Sequence, residues 1–189
     1  MRLALLALLI PAAAAAQVDP IPVTYLPGGA IDAGCHAQWT TTGAAPAFSA
    51  PTPASRRVRT VEAQRRVDAN DYSEALLAVL QPGRVRARRA VSFEAFSVER
   101  GGRETVQIAP GDEMDLLAYA GDGETYLAVD GALFRSAAVP DYDGGSALER
   151  VQEGVVELWV HLRDHGPDRP ASWFNTSQAG VVVREPYCE

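Results

Sequence analysis

The chain has 189 residues, a formal net charge of -7 and a mean hydropathy of -0.07, and all seventeen of its basic residues are arginine. The absence of lysine excludes Ser-x-x-Lys nucleophiles and the lysine-bearing phosphate loop, and an acidic chain is not expected to bind nucleic acid.

Residues 1–16, MRLALLALLIPAAAAA, place one positive charge at Arg2 before an apolar run, then small residues ending in an Ala-x-Ala pattern. This is the layout of a secretory signal peptide, cleaved before Gln17 and too short in its apolar part for the roughly 20 residues of a membrane span. A lysine-free, alanine-rich chain carrying such a signal reads as an exported bacterial protein, periplasmic or secreted, with no membrane span in its mature form. About 170 residues remain, enough for one domain or two very small ones.

Residues 17–55 are rich in Pro, Gly, Ala and Thr and lack a sustained apolar period, which predicts an extended arm with at most one short strand. Trp39 is its one large apolar residue and is expected to dock the arm onto the body. From Val58 onward the chain reads as β structure, residues 56–189 forming the main domain, with 56–104 and 105–189 as an alternative division. Residues 72–80 fit a short helix or a strand equally well. Next comes a hairpin through Val85, Val91, Phe93 and Phe96, turning at Gly101-Gly102 and returning through Val106 and Ile108. Its apolar parity switches between Phe93 and Phe96, which predicts a bulge. Three short strands follow, punctuated by Pro110-Gly111-Asp112, Gly121-Asp122-Gly123 and Asp130-Gly131. An acidic loop then leads to the clearest strand, VVELWVHLRD, with Val156, Leu158, Val160 and Leu162 on one face and Val155, Glu157, Trp159, His161 and Arg163 on the other. The segments ASWF and GVVVREPYC pair back and close the sheet.

The runs APGDEMDLLAYAGDGETYLAVDGALF and ELWVHLRDHGPDRPASWF resemble bacterial SH3-like barrel modules of exported proteins over residues 46–185. Pro110, Gly111 and Asp112 match the turn of that family, and Trp159-Val160 and Trp173-Phe174 match its aromatic strand pairs. The resemblance implies small antiparallel SH3-like barrels, one elaborated or two packed together, and a non-enzymatic role in binding peptidoglycan or an envelope protein. Tyr126, Trp159, Trp173 and Phe174 are its candidate binding residues, with core packing as the equal alternative use of each.

An even number of cysteines in an exported chain predicts a Cys35–Cys188 disulfide. Cys35-His36, His161, His165 and Cys188 do not have the spacing of a metal site, so no metal or other cofactor is expected. Acidic turns supply Asp122 and Asp143 for the alternative of a small cell-wall glycan hydrolase, although acidic turn tips also serve solubility. An exported enzyme inhibitor is a further alternative. Asn175-Thr176-Ser177 fits an N-glycosylation pattern by coincidence. Charge is uneven: residues 17–103 carry eleven arginines against eight carboxylates, residues 104–189 five against sixteen, and nine arginines fall between 56 and 89. Either the basic segment packs beside the acidic half within one fold, or it forms a strip for an anionic partner.

Overall fold

The computed structural model describes residues 24–27, 35–68, 70–121, 123–142, 147–163 and 171–188, with the backbone alone at 35–38 and 182–188. Among them are sixteen strands and no helix. They run as β1 Thr24–Pro27, β2 Cys35–Thr41, β3 Ala45–Phe48, β4 Arg57–Val61, β5 Arg66–Val67, β6 Tyr72–Gln81, β7 Gly83–Ala87 and β8 Val91–Ser97. The second half holds β9 Gly102–Ile108, β10 Glu113–Gly121, β11 Glu124–Val129, β12 Ala132–Ser136, β13 Leu148–Gln152, β14 Val155–Leu162, β15 Ser172–Asn175 and β16 Val181–Cys188. Every pairing is antiparallel. The strands form three sheets, ordered β1-β6-β14-β15-β3-β4, β13-β7-β10-β11-β12-β8-β9 and β16-β2-β5. The all-β antiparallel class expected from the sequence is therefore the one adopted.

Two bent strands join the large sheets. β6 and β14 pair in the first sheet, and their continuations β7 and β13 pair in the second. The four strands make one long ribbon that turns at Gln81-Pro82-Gly83 on one side and Glu153-Gly154 on the other. Proline supplies a fixed φ and no donor at the place where the ladder is interrupted. Glycine lets the backbones cross: a Cβ on Gly154 would lie 2.9 Å from the Gly83 nitrogen. The Gln81 Nε2 donates to the Glu153 carbonyl and the Gln152 Nε2 donates to the Pro82 carbonyl, each at 2.8 Å. Carbonyls freed by the bend are thus capped reciprocally from the opposite strand.

Three apolar clusters correspond to this arrangement. The seven-stranded sheet curls around Val85, Val91, Phe93, Ile108, Leu127 and Leu148. The three-stranded sheet packs Trp39 and Val67 against Val160, Leu162 and Phe174 of the six-stranded sheet. Leu26, Val79, Leu117, Ala118 and Tyr126 fill the junction between the two large sheets. Trp39 is 1 % exposed and packs edge-on against Tyr72 at 5.7 Å, the docking role expected of it.

Several expectations are corrected. The sheets are open, not closed into barrels: β9 and β13 both contribute to one core through Ile108 and Leu148, yet they are the two edges of their sheet. Val139, Tyr142 and Ala147, from the segment before β13, pack on that same core. The region expected to hold at most one strand contains β1, β2 and β3, each paired with a strand from far along the chain. Residues 72–81 are a strand. The predicted bulge is absent, since β8 and β9 stay in register from Val91↔Ile108 to Ser97↔Gly102. Small residues Ala95 and Ser97 continue the buried face, and Phe96 points outward under Arg135 at 5.8 Å. The acidic loop before β14 includes β13. Asp130 and Gly131, at φ 50° and 80°, form the expected two-residue hairpin turn between Val129 and Ala132.

Candidate functional site

The four aromatic residues singled out in the sequence do not come together. Phe174 is fully buried, and Tyr126 is 5 % exposed in the junction cluster. Register places Trp159, His161 and Trp173 on the face of the six-stranded sheet that also carries Tyr25 and Phe48. Trp159 is 1 % exposed there, its ring 5.8 Å from Phe48 and its Nε1 donating to the Glu157 Oε2 at 3.0 Å. The Tyr25 hydroxyl, on the opposite edge strand, donates to the Pro51 carbonyl at 3.0 Å. The loop after Phe48 therefore reaches across this face, which explains how a tryptophan on the outward side of β14 is buried. Trp173 is half-buried, its ring 4.9 Å from that of His161, whose Nδ1 lies 3.2 Å from the Ser73 hydroxyl.

The basic segment is drawn into the fold. Arg84 and Arg86 on β7 and Arg88 just after it lie between β10 and β13, with Asp115, Glu113 and Glu149 at 2.9, 2.6 and 2.9 Å. The hydrogen bond that Arg84 donates to Asp115, and the charge of that carboxylate, hold the Arg84 guanidinium above its ordinary pKa. Arg65 pairs with Asp71 at 2.6 Å, and the Arg59 Nε donates to the Ser172 hydroxyl at 3.0 Å. Cross-strand pairing of opposite charges suits an exposed sheet face, and here it joins the basic first half to the acidic second. Asn175 is 5 % exposed with its Oδ1 accepting from the Ser177 nitrogen, so the glycosylation pattern is inaccessible. Residues 1–16, Asp122, Asp143 and His165 lie outside the described residues.

A concave site arises instead from the bend of the ribbon. An open cleft of about 220 Å³ lies where the two large sheets meet, with Leu116, Ala118 and Val156 as its apolar floor. Tyr119 stands at its mouth, 58 % exposed, the most exposed large apolar side chain described. Its hydroxyl accepts from the Gly123 nitrogen at 2.9 Å, which fixes the ring while leaving it open to solvent. Tyr142 contributes a second ring, with the Arg150 guanidinium over it at 5.0 Å from the centroid. Arg150 in turn pairs with Glu153 at 2.5 Å. The chain matches no family model, no curated protein and no solved structure.

Rigid tyrosines over a small apolar floor, beside a donor–acceptor pair, can stack on and hydrogen-bond a polar ring-shaped ligand. The sequence carried a faint signal for this site. Pro82-Gly83 stands at the bend and Gly123 supplies the N–H that anchors Tyr119, but only the folded ribbon brings Arg150 and Glu153 to them.

Proposed function

We propose that this protein is an exported, non-enzymatic β module that binds peptidoglycan at the cleft between its two large sheets. The observation that carries this reading is Tyr119, exposed at the mouth of the cleft with its hydroxyl held by the turn at Gly123. Large apolar rings left in solvent and fixed in place are characteristic of binding surfaces rather than of folding. The signal-like residues 1–16 support export into the compartment that holds the cell wall. Kinship with SH3-like modules of exported proteins is proposed on the Pro110-Gly111-Asp112 turn and the Trp159-Val160 and Trp173-Phe174 pairs.

The same reading joins Cys35 and Cys188 as a disulfide. Its support is the backbone register, in which the two are direct Cα partners across β2 and β16. Directly opposed residues of an antiparallel pair have Cα atoms about 4.5–5.5 Å apart, within the roughly 4.4–6.8 Å that a disulfide spans.

Retention of the secreted chain on purified cell-wall sacculi, at low and high salt, tests the function. Binding that survives high salt and falls on Tyr119→Ala is expected. No retention at any salt refutes the reading.

A further inference from the structure

Resting on that reading, we infer that the cleft selects the N-acetylglucosamine units of the glycan strand over its N-acetylmuramic acid units and stem peptides. Size limits what the cleft can hold. A cleft of about 220 Å³ is below the usual 300–1,000 Å³ of sites that enclose drug-sized ligands, which suits one sugar ring and not a branched peptide. The apolar floor of Leu116, Ala118 and Val156 gives an acetamido methyl a place out of water. The Tyr119 ring offers a fixed apolar surface for the face of the pyranose.

Polar recognition falls to Arg150 and Glu153, which place guanidinium donors next to a carboxylate acceptor. Cation–π contact with Tyr142 orients the guanidinium, and the Gln81 side chain bonded to the Glu153 carbonyl holds the backbone beneath the carboxylate. An acetamido carbonyl accepts from Arg150, and the adjacent 3-hydroxyl of the same sugar donates to Glu153. Hydrogen bonds to charged partners of this kind discriminate more than neutral ones. In N-acetylmuramic acid that 3-oxygen is an ether. It has no proton to donate, and its lactyl carboxylate or the attached peptide meets the Glu153 carboxylate. Glucose lacks both the acetamido carbonyl and its methyl group.

Calorimetric titration of the mature full-length chain with chitotetraose, cellotetraose and muramyl dipeptide tests this. Chitotetraose is expected to bind at least about tenfold more tightly than either of the others, the equivalent of roughly 1.4 kcal/mol. Tyr119→Ala and Glu153→Gln are each expected to weaken chitotetraose by about fivefold or more. Both side chains are exposed, and unchanged thermal melts would confirm that the variants fold. Equal binding of cellotetraose, or chitotetraose binding that neither substitution alters, overturns the inference. Sacculi retained without chitotetraose binding also overturns it while leaving the peptidoglycan reading intact. Failure of both ligands to bind removes the reading and the inference together.

Discussion

Gly83 and Gly154 face each other across the ribbon so closely that a Cβ on Gly154 would sit 2.9 Å from the Gly83 nitrogen, inside any ordinary contact. The atom it would meet is backbone, which cannot swing aside as the end of a side chain can. A methyl group there must open the bend that joins the two large sheets. Gly154→Ala is therefore expected to lower stability by about 2 kcal/mol, as overpacking does elsewhere, seen as a lower urea midpoint. Gly83→Ala meets the Leu116 carbonyl at 3.2 Å and the Gly154 nitrogen at 3.3 Å, so a smaller loss is expected. If Gly154→Ala melts like the parent chain, the bend tolerates more separation than this geometry allows.

Trp159 and Trp173 occupy the same sheet face with opposite consequences. Trp159 is enclosed beneath Phe48 with its indole N–H satisfied by Glu157, while Trp173 remains half-exposed beside His161. Trp159→Ala is expected to cost roughly 3–5 kcal/mol, the range for deleting a large buried aromatic ring, and Trp173→Ala no more than about 1–2 kcal/mol. Paired denaturation curves compare the two directly. Equal losses would mean that the loop after Phe48 does not shield this face.

These contrasts show where the sequence was legible. Local chemistry was readable: the Asp130-Gly131 turn, the strands on either side of it, and the inward set Val160 and Leu162 all lie where alternation and turn residues put them. Features that depend on remote partners were not. Trp159 alternates with core residues and reads as outward, and only Tyr25 and the Pro51 loop reveal its cover. The Pro- and Thr-rich segment around Thr41 has little apolar period because β2 is completed by β16, more than a hundred residues away. At Phe96 a large apolar residue suggested a change of face, although Ala95 and Ser97 kept the buried one. The cleft escaped for the same reason as Trp159: its two rings and its ion pair come from three separate segments, those of Tyr119, Tyr142 and 150–153, brought together only in the fold.

The register of Cys35 with Cys188 bears on stability. A bond between them encloses about 150 residues and contributes up to about 5 kcal/mol in the chain-entropy model. Cys35→Ser and Cys188→Ser are each expected to lower the thermal midpoint in non-reducing buffer, and the double variant should lower it no further than either alone. In the presence of a reductant the parent chain should melt with the variants. A parent midpoint indifferent to reductant and to both substitutions would show that the thiols are not joined.

Tyr72 gives the chain an alkaline limit. Burial, then the nearby Asp68 carboxylate, raises its phenol pKa above the ordinary value of 10.0. The folded state thus holds this proton more tightly than the unfolded chain does. The associated stability is complete below about pH 10, where both states are neutral, and is lost as pH rises from there through the folded-state value. Without lysine the window is left mainly to the six tyrosines, and substitution of Tyr72 alone separates its part from the other five. Tyr72→Phe keeps the ring edge against Trp39 and is expected to change stability at pH 7 by less than about 1 kcal/mol. Urea midpoints of parent and variant should keep a constant separation from pH 7 to 9 and diverge above pH 10 in favour of phenylalanine. Midpoints that stay parallel throughout would place the alkaline sensitivity on another tyrosine.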